Sequence, residues 1–478
     1  MAIRIFGAPQ AIERLKESRT AIADKDASAA PPMTAAPATT GEPSPDDGMV
    51  PMSAPEGPAD ASVTVPTPNG VPDGMMAVDL VAAEKGRTTR LAFPIGQAAE
   101  PAGGTALVDP RSLSALLSDL REEADERFPP EYFDVSDEGR RALRLLRSTS
   151  PVSLDVGITG LSPERAAPEG PPGPAMVARR ALALREARAG LGGGGDGRDV
   201  GVVVVDEGVS ADYVRKLAGR EAFGGGWQLL GADGQNATAR VGRFADPYRR
   251  ACDGHGNMVA RNVLSLAPRA TIYDAPVLPP RVTDIERFSS GATAVLLAVL
   301  VTLLDPARYG LPRHERWIVV NAWGVANSFA DPFARAGGPH GYVRNRDHML
   351  NGTVRALASL SHVDVVFAAG NNGEHAPALH SGAYDRGPHR SIWGANGLSE
   401  VDTVGARAVA TGHAVAASSQ EPCMPEMQAD PAEPKRLHWM PSWFAEDDDA
   451  SILNTGTSAA AALHAGVLAC RHSAPVVG

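Results

Sequence analysis

From residue 200 onward the chain alternates between short unbroken apolar runs and longer amphipathic ones. "VGVVVVD" (200–206) is almost wholly β-branched, the pattern of a strand buried on both faces of a parallel sheet. "ATIYDAPVL" (270–278), "RWIVVNAW" (316–323) and "VDVVFAAG" (363–370) repeat it, and "EVDTVGA" (400–406) does so more weakly. Between them, residues 255–266, 284–303 and 345–361 carry the spacing of helices. Strands alternating with helices predict an α/β fold, a parallel sheet covered by helices on both faces. In such sheets functional groups gather beyond the carboxyl ends of the strands, which singles out Asp206 at the end of the first run.

Before residue 200 the pattern is interrupted. Residues 1–27 form an N-terminal segment compatible with a helix. Residues 28–75 are dominated by Ala, Pro, Ser, Thr and Gly and predict a disordered linker, because too little apolar surface is present to offset ordering the backbone. Residues 76–160 read as a small α/β region. "MAVDLVAAEKGRTTRLAF" supplies strands, and "RSLSALLSDLREEADERF" and "DEGRRALRLLRS" have helical periodicity. Residues 161–198 read as a flexible linker containing one helix, "ARRALALREARAG", before the structure-breaking run "LGGGGDGRD". That run lacks the GK[ST] ending of a phosphate-binding loop and reads as a hinge. Residues 199–478 form the main domain.

Composition narrows the function. A net charge of −11 argues against non-specific binding of nucleic acid, which needs clustered Lys and Arg. No apolar run is long enough to span a membrane, and the amino terminus has no apolar signal region, so a cytoplasmic setting is expected. The 3 cysteines, Cys252, Cys423 and Cys470, are too scattered for a disulfide framework or a zinc site.

Three segments carry candidate chemistry. Asp206 ends a buried strand. "DGHGNMVARNVLSLAP" places His255 at the start of an apolar helix, and "NTGTSAAAALHAG" places Ser458 at the start of an alanine-rich one. Each has a structural explanation: an aspartate after a strand forms turns, and Thr457 or Ser458 can simply cap a helix. Together the three types are what acyl transfer requires. Serine attacks, histidine takes and returns the proton, and aspartate orients the imidazole and stabilises its cation.

These segments resemble those of the subtilases, the subtilisin-like serine peptidases, whose triad also runs Asp, His, Ser. "DEG" is similar to the family's D-[ST]-G, with Glu207 in place of the small hydroxyl residue. "HGNMVA" is similar to H-G-T-H-V-A, with Asn257 and Met258 substituted. "GTSAAAALHAG" is similar to G-T-S-M-A-x-P-H-V-A-G, with Ala462 where the family has proline. "VVFAAGNNG" resembles A-A-G-N-x-G, and "VVNAWG" resembles the strand ending N-x-S-[LW]-G, with Ala322 replacing serine. "ASSQEP" (417–422) resembles an S-S-x-G-P loop more faintly. The resemblance covers roughly residues 198–470. It implies a subtilisin-like fold, with Asp206, His255 and Ser458 as the catalytic triad and Asn371 as the oxyanion donor. It also implies that Ala322, Trp323 and Gly324 line the substrate cleft, with a polypeptide as substrate.

The resemblance implies no required cofactor. Some subtilases hold structural calcium, but "EDDD" (446–449) lacks a recognised loop spacing, as do His375, His380 and His389 for a metal. Trp439, Trp443 and Phe444, in the long insertion at 420–450, either contact substrate or a partner or pin the loop to the domain. Residues 76–160 either inhibit as a pro-segment or dock a regulatory partner. One competing function is a catalytically silent scaffold on the same fold, motivated by Glu207, Met258 and the short stretch after Ser458; another is an esterase or ligase built on the same acyl-enzyme.

Overall fold

The computed structural model describes residues 2–7, 76–85, 88–93, 106–108, 136–149, 152–155, 174–189, 191, 195–230, 238–242, 254–278, 288–324, 345–370, 394–407, 437–441 and 456–473. The linker at 28–75, the helix expected at 111–128, Cys252, Cys423, Asn371, the three loop histidines, the 417–422 loop, Trp443, Phe444 and the acidic run at 446–449 lie outside them.

The strands number thirteen among the described residues and fall into two sheets. The first contains β1 (Ala2–Gly7), β2 (Met76–Lys85), β3 (Thr88–Phe93), β4 (Ala106–Val108) and β5 (Val152–Asp155), in the order β4-β3-β2-β1-β5 with antiparallel neighbours. Residues 2–7 therefore pair between two strands of the 76–160 region. The helix α1 (Asp137–Arg147) precedes β5 and begins at Ser136, whose hydroxyl accepts the Gly139 N–H at 3.0 Å. Its Glu138 accepts the Ser361 N–H at 2.9 Å and pairs with His362 at 3.3 Å, so α1 is tied to the second sheet's domain.

The second sheet is built from β6 (Val200–Asp206), β7 (Phe223–Leu230), β8 (Thr238–Gly242), β9 (Thr271–Pro276), β10 (Arg316–Asn321), β11 (Val363–Ala368), β12 (Asp402–Arg407) and β13 (Leu437–Pro441). Their order is β13-β12-β11-β10-β6-β9-β7-β8. Seven strands run parallel, and only β8 at the edge is antiparallel. All five apolar runs read from the sequence are strands of this sheet, and β6 is buried from end to end.

Helices cover both faces. On one face, α2 (Pro174–Ala189), α3 (Ala211–Ala218), α4 (His255–Leu266) and α7 (Thr457–His472) pack with alternate strand residues such as Val202, Val204, Ile318, Val320 and Val366. On the other lie α5 (Phe288–Leu304) and α6 (Met349–Ala358), where Phe288, Trp323 and Phe367 stack edge to face. The period-2 pleat sorts neighbouring strand residues between these layers. Helix α4 has the bounds expected from its spacing. Helix α6 is shorter than 345–361, starting where the His348 ring accepts the Leu350 N–H.

The glycine run is held at its far end rather than left free. Gly195 N–H donates to the Cys470 carbonyl at 2.8 Å, and Gly197 N–H to the Ser473 hydroxyl at 2.9 Å. The alanine-rich α7 passes through the packed centre, every residue from Thr457 to Cys470 buried. A Cβ at Gly466 would lie 3.0 Å from the Leu266 Cβ, so small residues let α7 and α4 approach closely. With Ala462 in place of the motif proline, α7 runs unbroken through 16 residues.

Among the described residues, no helix is long and apolar enough to cross a membrane.

Candidate active site

The parallel register places Asn321 of β10 opposite Val205 of β6, so Ala322 and Asp206 emerge side by side at the carboxyl edge of the sheet. Helix α4 starts at the same edge. A Cβ at Gly256 would lie 2.3 Å from the Gly208 carbonyl oxygen and 3.4 Å from the Asp206 Cβ, so the first turn of α4 sits directly on the chain leaving β6. This contact brings His255 to Asp206. The His255 Nδ1–H donates to the carboxylate of Asp206, 2.8 Å from Oδ1 and 2.9 Å from Oδ2. Asp206 is completely buried, whereas 22% of the His255 side chain is exposed. With the Nδ1 proton held by the carboxylate, the lone pair of the neutral ring belongs to Nε2.

Glu207 completes this pair. Helix α4 begins at Gly254, which has no capping side chain, and the Glu207 Oε1 accepts the His255 N–H at 2.6 Å instead. A carboxylate at a helix N-terminus satisfies an orphan donor and complements the dipole. Burial disfavours the charged imidazole, but the carboxylates of Asp206 and Glu207 outweigh it and hold the His255 pKa above the ordinary histidine value. The loop after Asp206 is clamped as well. Asp206 Oδ1 accepts the Glu207 N–H, Asp274 accepts the Val209 N–H and Asn257 accepts the Ser210 N–H.

Ser458 occupies the second position of α7, where backbone N–H groups have no partner within the helix. Its hydroxyl donates to the Ala322 carbonyl at 2.8 Å, at the end of the strand beside β6. Among the described residues no hydrogen bond joins Ser458 to His255. The structure therefore pairs Asp206 with His255 and sets Ser458, at the start of α7, against the adjacent strand end, with its hydroxyl turned to a carbonyl rather than to the imidazole.

Asn371 lies outside the described residues, but Gly370, immediately before it, does not. Its N–H donates to the Thr457 hydroxyl at 3.0 Å, joining the exit of β11 to the residue before Ser458. Of the three residues expected along the substrate cleft, Ala322 and Trp323 are buried and Gly324 is partly exposed. The Trp323 indole lies between Phe288 and Phe367, with ring centroids 4.9 and 5.3 Å away. Asn396 binds this segment from behind: its amide donates to the carbonyls of Trp323 at 2.8 Å and of Ala368 at 2.7 Å. Trp439 sits over Gly405 in the adjacent strand, where a Cβ would meet its ring at 2.3 Å.

Thr457, Glu207 and Asn396 thus position the site. The sequence offered Glu207 as a motif substitution and Thr457 as a motif neighbour or helix cap, whereas the cap position is Gly456 with no side-chain cap, and it contained no signal for Asn396.

No family model and no curated protein matches the chain. Among solved structures, similar chains include a lanthipeptide protease at 18% identity, with 61% of this chain and 79% of that one covered and a TM-score of 0.38. The MycP3 protease of the type VII (ESX-3) secretion system is also 18% identical over 66% of this chain and 79% of that one, with a TM-score of 0.30. A chain of the subtilase cytotoxin SubAB assembly is 18% identical over 61% and 80%, with a TM-score of 0.34. The first two are named as proteases and the third as a subtilase cytotoxin.

Proposed function

We propose that this chain is a subtilisin-like serine endopeptidase that hydrolyses peptide bonds through an acyl-enzyme on Ser458. The observation that carries this reading is the Asp206–His255 pair, one strand end away from the Ser458 hydroxyl at the start of a buried helix. Rotation of the Ser458 hydroxyl away from Ala322 presents it to His255 Nε2, which takes its proton as Oγ bonds to the substrate carbonyl carbon. Asp206 stabilises the imidazolium. The oxyanion falls to the Ser458 N–H and the Asn371 amide, and Thr457 anchors Gly370, the residue before Asn371. The imidazolium then protonates the leaving amine as the C–N bond breaks. A water molecule, deprotonated by Nε2, releases the acyl group. An extended polypeptide pairs along the segment that ends at Gly324, and its access is regulated through the N-terminal region.

A specific observation favours a second reading, a catalytically silent scaffold: the Ser458 hydroxyl is bonded to Ala322. A fluorophosphonate probe separates the two. The peptidase reading expects covalent labelling of the wild-type protein, loss of labelling in Ser458→Ala, and peptide products from a denatured protein. An unlabelled wild-type protein that cleaves nothing supports the scaffold.

A further inference from the structure

A second cluster of chemistry-bearing side chains lies on the face of the sheet that α7 covers. Asp402 opens β12, and the register sets Val404 opposite His438 of β13. Residues two apart on a strand share a face, so Asp402 and His438 point to the same side. Val404 packs in the core with α7, so this is the side on which α7 lies. From that helix His464 enters the same space, and its Nε2 is 3.2 Å from Asp402 Oδ2. The Nε2 of His438 is 3.4 Å from the other oxygen, Oδ1. The two imidazoles stack, with centroids 4.1 Å apart and planes inclined by 27°.

We propose that Asp402, His438 and His464 form a divalent transition-metal site, for which Zn2+ is the fitting ion, stapling the edge strands β12 and β13 to the helix that bears Ser458. All three donor atoms lie within 4.8 Å of one another. Each imidazole nitrogen faces its own oxygen of Asp402, at 3.4 and 3.2 Å, so an ion with metal–ligand bonds of about 2.0–2.1 Å needs only small side-chain shifts to take both nitrogens and the carboxylate. Two neutral imidazoles and one carboxylate suit zinc and its neighbours, whereas calcium and magnesium require sets of oxygen ligands.

A hydrogen-bonded network accounts for the cluster less well. The Nε2 of His438 is buried and faces Asp402 Oδ1 at 3.4 Å without the geometry of a hydrogen bond, an approach that a shared metal ion satisfies. Asp402 and His464 are deeply buried, while the His438 ring is 37% exposed but keeps its Nε2 turned inward. The three ligands come from three elements that meet only in the folded chain, so the ion stabilises the folded state over the unfolded one.

The test uses the full chain and needs no peptidase assay, so its outcome is independent of the function proposed above. Protein stripped with a chelator is titrated with Zn2+ by calorimetry, followed by thermal unfolding. One equivalent is expected to bind and to raise Tm, while Ca2+ and Mg2+ leave Tm unchanged. His438→Ala, at a half-exposed ring, is expected to lose that equivalent or bind it at least ~10-fold more weakly, the lower end of what losing even an outer partner costs. In the wild-type protein Co2+ is expected to give the visible bands of a tetrahedral site, which decides the matter if the variant does not fold. Equal zinc binding and an equal Tm shift in wild type and His438→Ala would overturn the proposal, as would a wild-type Tm that zinc does not move.

Discussion

The carboxylate of Glu207 accepts the backbone N–H of His255 at 2.6 Å and thereby caps the helix that presents the imidazole to Asp206. One side chain thus does two jobs: it fixes the start of α4 and adds a negative charge beside the ring. Glu207→Gln keeps an acceptor for the cap and removes the charge. Because Glu207 helps to hold the His255 pKa above the usual value near 6.5, the acid limb of the kcat/KM profile should move to lower pH in this variant. Glu207→Ala should also lose the cap, at a cost of about 1 kcal/mol in denaturant unfolding. A profile identical to the wild type in Glu207→Gln would remove Glu207 from the titration.

The raised pKa also has a consequence for stability. A histidine whose pKa is higher in the folded state favours folding while it is protonated. The contribution of the Asp206–His255 pair is therefore fully present below about pH 6.5 and is lost as pH rises through the folded-state pKa. His255→Ala should flatten this part of the stability profile, as measured by urea unfolding across pH.

The Thr457 hydroxyl accepts the N–H of Gly370, the residue before Asn371. Thr457→Val leaves the Gly370 N–H without its 3.0 Å partner, while Thr457→Ser retains it. The valine variant is expected to lose roughly tenfold in kcat, about 1.4 kcal/mol of transition-state stabilisation, with serine close to wild type. Asn371→Ala should lose more, about 10²–10³-fold in kcat. If KM rather than kcat changes in Asn371→Ala, that residue binds substrate instead.

Gly256 is the contact that seats α4 on the chain leaving β6. A methyl group there would lie 2.3 Å from the Gly208 carbonyl oxygen, which is backbone and cannot rotate away. Gly256→Ala should destabilise the protein by about 1–3 kcal/mol and reduce activity further by drawing His255 off Asp206. Unchanged Tm and activity would mean that α4 can shift without cost.

Asn396 holds two strand ends through the carbonyls of Trp323 and Ala368. Asn396→Ala should cost about 1–3 kcal/mol, since two buried carbonyls lose their donor. Asn396→Asp should be worse, because a carboxylate would face both oxygens. Thermal unfolding of the two variants checks the order, and KM should rise if the segment at Gly324 guides substrate.

The elements that the sequence made legible are those whose cause is local. The unbroken β-branched run at 200–206 can only be a strand buried on both faces, and the apolar spacing of 255–266 already defines helix α4. The positions of Asp206, His255 and Ser458 at the mouths of such elements followed from the same patterns. The strand at Phe223–Leu230 carries no such local signal, because three consecutive glycines interrupt its apolar pattern. Tertiary contact makes them strand residues: a Cβ at Gly224 would strike the Tyr273 ring at 2.3 Å, and one at Gly226 the Asp274 carbonyl at 2.0 Å. The hold of Asn396 on two strand ends and the meeting of Asp402, His438 and His464 were likewise invisible. Their partners lie far apart in the chain, and no local periodicity records which side chain a sheet register and a packed helix will bring together. The same is true of the Ser458 hydroxyl, which packing placed against Ala322, 136 residues away in the chain.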